Sequence, residues 1–122
     1  MTGSRALVVK CTSGEDAPER CSQAFTVASV ALAAGVPVSM WLTGEAVWMA
    51  VAGRAEAFTL PHSAPLADLR NAVLAGGSLT VCTQCAARRD LSQSDLLPGV
   101  RIAGSASFVD EILRGDAQAL VY

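Results

Sequence analysis

Leu79-Thr80-Val81-Cys82-Thr83-Gln84-Cys85-Ala86-Ala87-Arg88-Arg89 passes from a short apolar, β-branched run into a helix-permissive segment. The run has the length and composition of a buried strand. It stops at Cys82. A second thiol, Cys85, follows three positions later, with Arg88 and Arg89 close behind. The free amide N–H groups of a helix start stabilise an anion, and here that anion is a thiolate. The arginine pair adds positive charge one to two turns further on. The junction is suited to sulfur or redox chemistry, and Cys82 and Cys85 are its candidate catalytic residues.

Upstream, Arg5-Ala6-Leu7-Val8-Val9-Lys10-Cys11 reads as a first strand, apolar nearly throughout as a central parallel strand would be. After a loop at Thr12 to Glu15, Asp16-Ala17-Pro18-Glu19 has the layout of a helix start, with a capping Asp and Pro in the first turn. That helix is expected to run to Ala34 and stop at Gly35, burying Cys21, Ala24, Phe25, Ala28, Ala31 and Leu32. Val36 to Leu42 forms a second strand. Thr43 is placed to cap a short helix over Gly44 to Ala52, whose Trp48 and Met49 read as core or subunit-interface residues. Arg54 to Ser63 has no clear period and carries His62, the sole histidine. Pro65 opens a third helix that ends at Gly76-Gly77 and leads into the strand Ser78 to Cys82.

Downstream, the short helix lies around Gln84 to Asp90, followed by a turn over Ser92 to Leu97. Val100 to Ala103 is a fourth strand. Ser105 or Ser107 caps a last helix with Phe108, Ile112 and Leu113 turned inward, and Ala117 to Tyr122 is a fifth strand. Strands alternating with helices predict an α/β domain, one parallel sheet covered on both faces, spanning residues 1–122 as a single unit. Ligands of such sheets bind beyond the carboxyl ends of the strands. Cys82 and Cys11 both fall at such ends.

The composition narrows the chemistry. Hydrophobic residues make up 52% of the chain and charged residues 16%, a balance that suits a compact core with some surface hidden in an oligomer. The net charge of −2 and the absence of a basic cluster with interleaved aromatics argue against nucleic acid. The window Val27 to Leu42 is broken by Gly35 and Pro37 and is too short to span a bilayer. Met1 to Arg5 lacks the layout of a signal peptide. A cytoplasmic protein without membrane insertion is expected, its four cysteines serving as buried small residues or reactive thiols.

A CxxC pair serves zinc sites and redox centres alike. A closed zinc site needs four Cys or His ligands, and beyond the pair only His62, Cys11 and Cys21 remain. No metal or cofactor is therefore expected, and no Walker or dinucleotide-type glycine loop is present. Thiol–disulfide exchange fits the placement of the pair. Persulfide transfer needs only one activated thiolate at a strand end, with Cys85 either resolving Cys82 or packing under the helix. Cys11 either faces the same cleft or fills the core. His62 is an acid–base group over the cleft or an incidental loop residue. Of Arg88 and Arg89, one meets the thiolate or an anionic donor, and the other is solvated or paired.

Cys82 followed by Arg88-Arg89, after a strand led in by Gly76-Gly77, resembles the DsrE/DsrF-like family, which includes the sulfur-relay proteins of the DsrEFH and TusBCD complexes. The likeness extends to Thr12-Ser13-Gly14-Glu15-Asp16-Ala17-Pro18-Glu19-Arg20, to Trp41-Leu42-Thr43-Gly44-Glu45-Ala46-Val47 and to Leu97-Pro98-Gly99-Val100. Asp90 stands where many relatives carry Gly. The resemblance implies a three-layer α/β/α flavodoxin-like fold with five parallel strands, in homotrimers or homohexamers. It also implies that Cys82 accepts sulfane sulfur as a persulfide and exchanges it with donor and acceptor proteins or small persulfides. Cys85 matches the CxxC-containing subset. Two other classes of function stay open: a CxxC thiol–disulfide or peroxiredoxin-like redox protein, and a non-catalytic oligomeric binding subunit.

Overall fold

The β-branched runs pair as one parallel sheet. The computed structural model describes residues 5–122, so the reading of Met1 to Ser4 lies outside the described residues. The strands are β1 (Ala6–Cys11), β2 (Val38–Leu42), β3 (Ser78–Cys82), β4 (Arg101–Ala103) and β5 (Ala117–Val121), and all neighbouring pairs are parallel. The helices are α1 (Pro18–Ala33), α2 (Arg54–Ala57), α3 (Leu66–Gly76), α4 (Thr83–Arg88) and α5 (Ser105–Ile112), with a 3₁₀ stretch over Gly44–Ala50. The sheet order is β4-β3-β2-β1-β5. The chain thus steps one way from β1 to β4, then returns to lay β5 on the other side of β1.

Right-handed crossovers make that reversal decide the layers. The connections from β1 to β4 fall on one face, and the return through α5 falls on the other. Strand alternation then sorts the side chains. Val9, Cys11, Met40, Leu42, Leu79 and Val81 join Phe25, Ala28, Leu66 and Val73 in the main core, under α1 and α3. The opposite face carries a cross-sheet row, Lys10, Trp41, Thr80 and Arg101, each in register with the next. Phe108 of α5 meets the Trp41 ring edge-on at 5.3 Å. The result is a three-layer flavodoxin-like arrangement.

Two helix ends show how local chemistry sets the boundaries. At α1, the Val36 N–H bonds to the Ala31 carbonyl and the Gly35 N–H to Leu32, with Gly35 left-handed at φ 85°. The start of α1 differs from expectation. Asp16 does not cap it; its carboxylate accepts the Gly14 N–H at 2.8 Å, and Ala17 is the residue before the helix. Pro18 keeps its place in the first turn, where the missing N–H costs nothing.

Other differences come from tertiary partners. Arg54–Ala57 is a helical turn where no period was readable. Glu56 in that turn binds the Arg70 guanidinium through two contacts, at 3.1 and 2.6 Å, while Arg70 also donates to the Met49 carbonyl. Arg70 is 2% exposed, a charge buried only because these acceptors surround it. Leu113, expected inward, is 76% exposed. It lies just past the end of α5, and Glu111, one turn after Phe108, takes the buried place. Gly104, not Ser105 or Ser107, precedes α5, and Thr43 makes no side-chain cap.

Glu111 is the polar anchor of that thinner layer. Its carboxylate accepts from the Ser39 hydroxyl, the Trp41 indole at 3.1 Å and the Arg101 guanidinium at 2.7 Å. Burial pushes its pKa up, but those hydrogen bonds and the Arg101 charge outweigh burial and hold it below the usual carboxylate value. Among the described residues, no helix is long and apolar enough to cross a membrane.

Candidate functional site

The carboxyl end of β3 delivers Cys82 to the rim of the sheet. Its backbone is still extended (φ −63°, ψ 131°), and α4 begins at the next residue. Strand alternation turns Cys82 to the same face as Thr80, one step above the Lys10–Trp41–Thr80–Arg101 row. The side chain is half-buried, and its thiol donates to the Gln84 carboxamide oxygen at 3.4 Å. Burial pushes its pKa up. The backbone N–H and thiol of Cys85, the backbone N–H of Gln84 and the positive charge of Lys10 outweigh that, and the net shift is downward. A lowered pKa raises the thiolate fraction at neutral pH.

Cys85 has a different surrounding. It is 9% exposed, and its sulfur accepts the Gly44 N–H at 3.3 Å. The two thiols are free, as are Cys11 and Cys21. Gly44 is held by close backbone approach: it has φ +55°, and a Cβ there would stand 2.7 Å from the Thr12 carbonyl oxygen. Gly14 repeats the arrangement in reverse, with a Cβ 2.6 Å from the Glu45 carbonyl oxygen. The loops after β1 and β2 therefore interlock beneath Cys85. Gly44→Ala is expected to cost about 2 kcal/mol of stability, from a left-handed alanine and a displaced carbonyl. It should also open Cys85 to thiol reagents in the native protein. Denaturant melts together with native-state alkylation mapping check both effects.

The arginine pair divides. Arg89 clamps the rim from outside: its guanidinium binds Glu45 at 2.8 Å and donates to the Cys85 carbonyl at 3.0 Å. Arg88 is exposed, free to meet a ligand from solvent. Asp90 then adopts φ 55°, with its N–H on the Ala87 carbonyl and the Leu91 N–H on Ala86. That is a helix-ending motif in which Asp takes the left-handed place usually given to Gly, a conformation its short polar side chain tolerates.

Two of the residues picked from sequence are not brought to Cys82. Cys11 is fully buried on the opposite face of the sheet, where its thiol donates to the Ser13 carbonyl at 3.2 Å and lies against Cys21. The hydrogen bond to Cys11 and burial both push the Cys21 thiol up, which keeps it protonated and inert. His62 is exposed on the loop before α3. It lines an open groove of about 830 Å³ with Glu19, Gln23 and Tyr122, a groove that includes neither CxxC cysteine nor either arginine. Among the described residues, no three His, Cys, Asp or Glu side chains cluster as metal ligands do.

The structure adds a residue that the sequence reading passed over. Lys10, the one charge inside the apolar run of β1, places its ammonium 5.0 Å from the centre of the Phe108 ring, on the Cys82 face. Its signal was visible: a lone lysine in an otherwise buried parallel strand needs a polar destination.

A sequence model described as the DsrE/DsrF-like family matches residues 5–118. Among solved structures, the crystal structure of the ychN protein from E. coli shares the fold at a TM-score of 0.80 and 16% identity, covering 97% of this chain and 99% of that one. The MTH1491 protein of unknown function from Methanobacterium thermoautotrophicum gives a TM-score of 0.68 at 12% identity, over 98% of this chain and 100% of its own. At these identities the likeness is one of fold. No curated protein matches the chain.

Proposed function

The chain belongs to the DsrE/DsrF-like family, and from that premise we propose that it accepts and passes on sulfane sulfur as a persulfide on Cys82. The observation that carries the reading is the Cys82 thiol itself, half-buried at a strand end and shifted toward the thiolate by the amides of Gln84 and Cys85 and by Lys10. The thiolate attacks the outer sulfur of a donor persulfide, R–S–SH. A new S–S bond forms at Cys82, the donor S–S bond breaks, and R–S⁻ leaves with the electron pair. In the second half, an acceptor thiolate attacks the outer sulfur and Cys82 departs as a thiolate. A low pKa favours both halves, because the same group is nucleophile and then leaving group.

The working form in this reading is a homo-oligomer, trimeric or hexameric as the family likeness implies. The exposed Val109 and Leu113 at α5 are apolar surface for such an assembly to cover. The reading places the protein in the cytoplasm, with donor and acceptor proteins or small persulfides as partners. One observation favours a second reading: Cys85 follows Cys82 within the first turn of α4 and both thiols are free, the arrangement a dithiol redox pair requires. Intact mass after exposure to polysulfide separates the two. A gain of one sulfur atom, removed by a reducing agent, supports the carrier. Loss of two hydrogens without added sulfur sinks it in favour of the dithiol, and no change sinks both.

A further inference from the structure

We infer that Lys10 forms an anion subsite beside Cys82, so that the sulfur donor Cys82 attacks is one carrying negative charge next to the reacting sulfur. This rests on the reading of Cys82 as the sulfur acceptor and assigns the class of donor. Lys10 is on β1 and Cys82 on β3, yet both face the same side of the sheet near its carboxyl rim. Strand spacing and rise put their Cα atoms about 12 Å apart, a distance that a lysine chain extended toward the rim shortens well into Coulombic range. The ammonium is steered, not loose: Phe108 supports it at 5.0 Å, and Phe108 is itself fixed edge-on against Trp41.

None of the four ion pairs among the described residues involves Lys10. Arg89 is already matched by Glu45, and Arg101 by Glu111. The row beside Cys82 therefore holds one uncommitted cation, on a half-buried side chain where water screens it less than on the open surface. Such a charge attracts the anionic part of an incoming molecule and orients its sulfur toward the thiolate. With thiosulfate as the probe, the Cys82 thiolate attacks the outer sulfur, a Cys82–S–S⁻ persulfide forms, the S–S bond of thiosulfate breaks, and sulfite leaves with the electron pair. Lys10 acts on the charge of the donor and takes no part in bond making.

The test uses electrophiles of like size and different charge on the intact protein. Rates of Cys82 alkylation by iodoacetate and by iodoacetamide are measured by peptide mapping and expressed as a ratio. Lys10→Met is expected to lower that ratio about fivefold, the effect of removing one partly screened charge, while Lys10→Arg retains it. Added salt should bring the wild-type ratio toward that of Lys10→Met. A merely structural role would slow both reagents alike and leave the ratio unchanged, which overturns the inference. So does collapse of the ratio in Arg88→Gln with Lys10→Met unaffected. Lys10→Gln stands in should the methionine variant fail to fold. Thiosulfate loading should fall about fivefold in Lys10→Met and persist in Lys10→Arg. A charge-dependent ratio without any sulfur loading would overturn the carrier reading alone.

Discussion

Cys82→Ala is expected to abolish the reducible sulfur gain on exposure to polysulfide, and Cys85→Ser to leave it in place. The asymmetry follows from the surroundings of the two thiols. Cys82 is half-buried at the rim and shifted toward the thiolate, so it can reach a donor sulfur in line. Cys85 is nearly covered, and its sulfur is occupied by the Gly44 N–H. With Cys82 gone, no other thiol substitutes, because Cys11 and Cys21 are both fully buried. Loss of loading in Cys85→Ser as well would mean that both sulfurs are chemically required, and the dithiol reading would replace the carrier. Retention of loading in Cys82→Ala would remove the foundation of either. A companion measurement reads the thiolate directly. The alkylation rate of Cys82 should rise with pH to a midpoint below the ordinary cysteine value of about 8.5, since a lowered pKa keeps the anion at lower pH.

That the strand end and helix start carrying Cys82 could be read from eleven consecutive letters has a local cause. An apolar β-branched run followed by Thr, Gln and Ala encodes a strand and a helix start through backbone preference. The strand stands at Ser78–Cys82 as expected, and the helix, expected around Gln84 to Asp90, runs Thr83–Arg88, ending before the left-handed Asp90. The faces of the strands were not readable in the same way. In a parallel sheet covered on both sides, apolar residues run almost continuously, and no alternation shows which neighbours share a face. Cys11 and Lys10 are adjacent in sequence and on opposite faces in space. The lysine shares the Cys82 face, and the cysteine went to the core. The places of three charged residues were not readable for a related reason. Arg70, Glu111 and Lys10 all carry the chemistry of surface positions, and what buries each one is a partner far along the chain: Glu56 and Met49, Ser39 and Trp41, Phe108. The single turn at Arg54–Ala57 was invisible for the same reason, since a helix of that length has little stability of its own.

Glu111→Ala should destabilise the protein by about 3 kcal/mol, more than any surface carboxylate would. Glu111 is 8% exposed, and its carboxylate collects three donors from two strands: Ser39 and Trp41 from β2 and Arg101 from β4. Removing it strands the buried indole N–H and the Ser39 hydroxyl without an acceptor, each costing about 1–3 kcal/mol. The half-exposed Arg101 regains water, so its share is small. Helix α5 is the sole helix among the described residues on that face, and Glu111 is its polar tie to the sheet. Losing the tie loosens the support that Phe108 gives to Lys10, and through it the Cys82 environment. The pH dependence has a definite sign. A carboxyl whose folded pKa is depressed stabilises the fold above its unfolded value, about 4.3, and the contribution is lost as pH falls through the lowered folded value. Wild type and Glu111→Ala should therefore differ most at neutral pH and converge in acid. Glu56 and Asp95, also lowered, weaken both proteins equally and cancel in the comparison. Denaturant midpoints measured from neutral to acid pH provide the check: a difference that stays constant, or widens toward acid, would show that the carboxylate of Glu111 does not hold α5 through its charge.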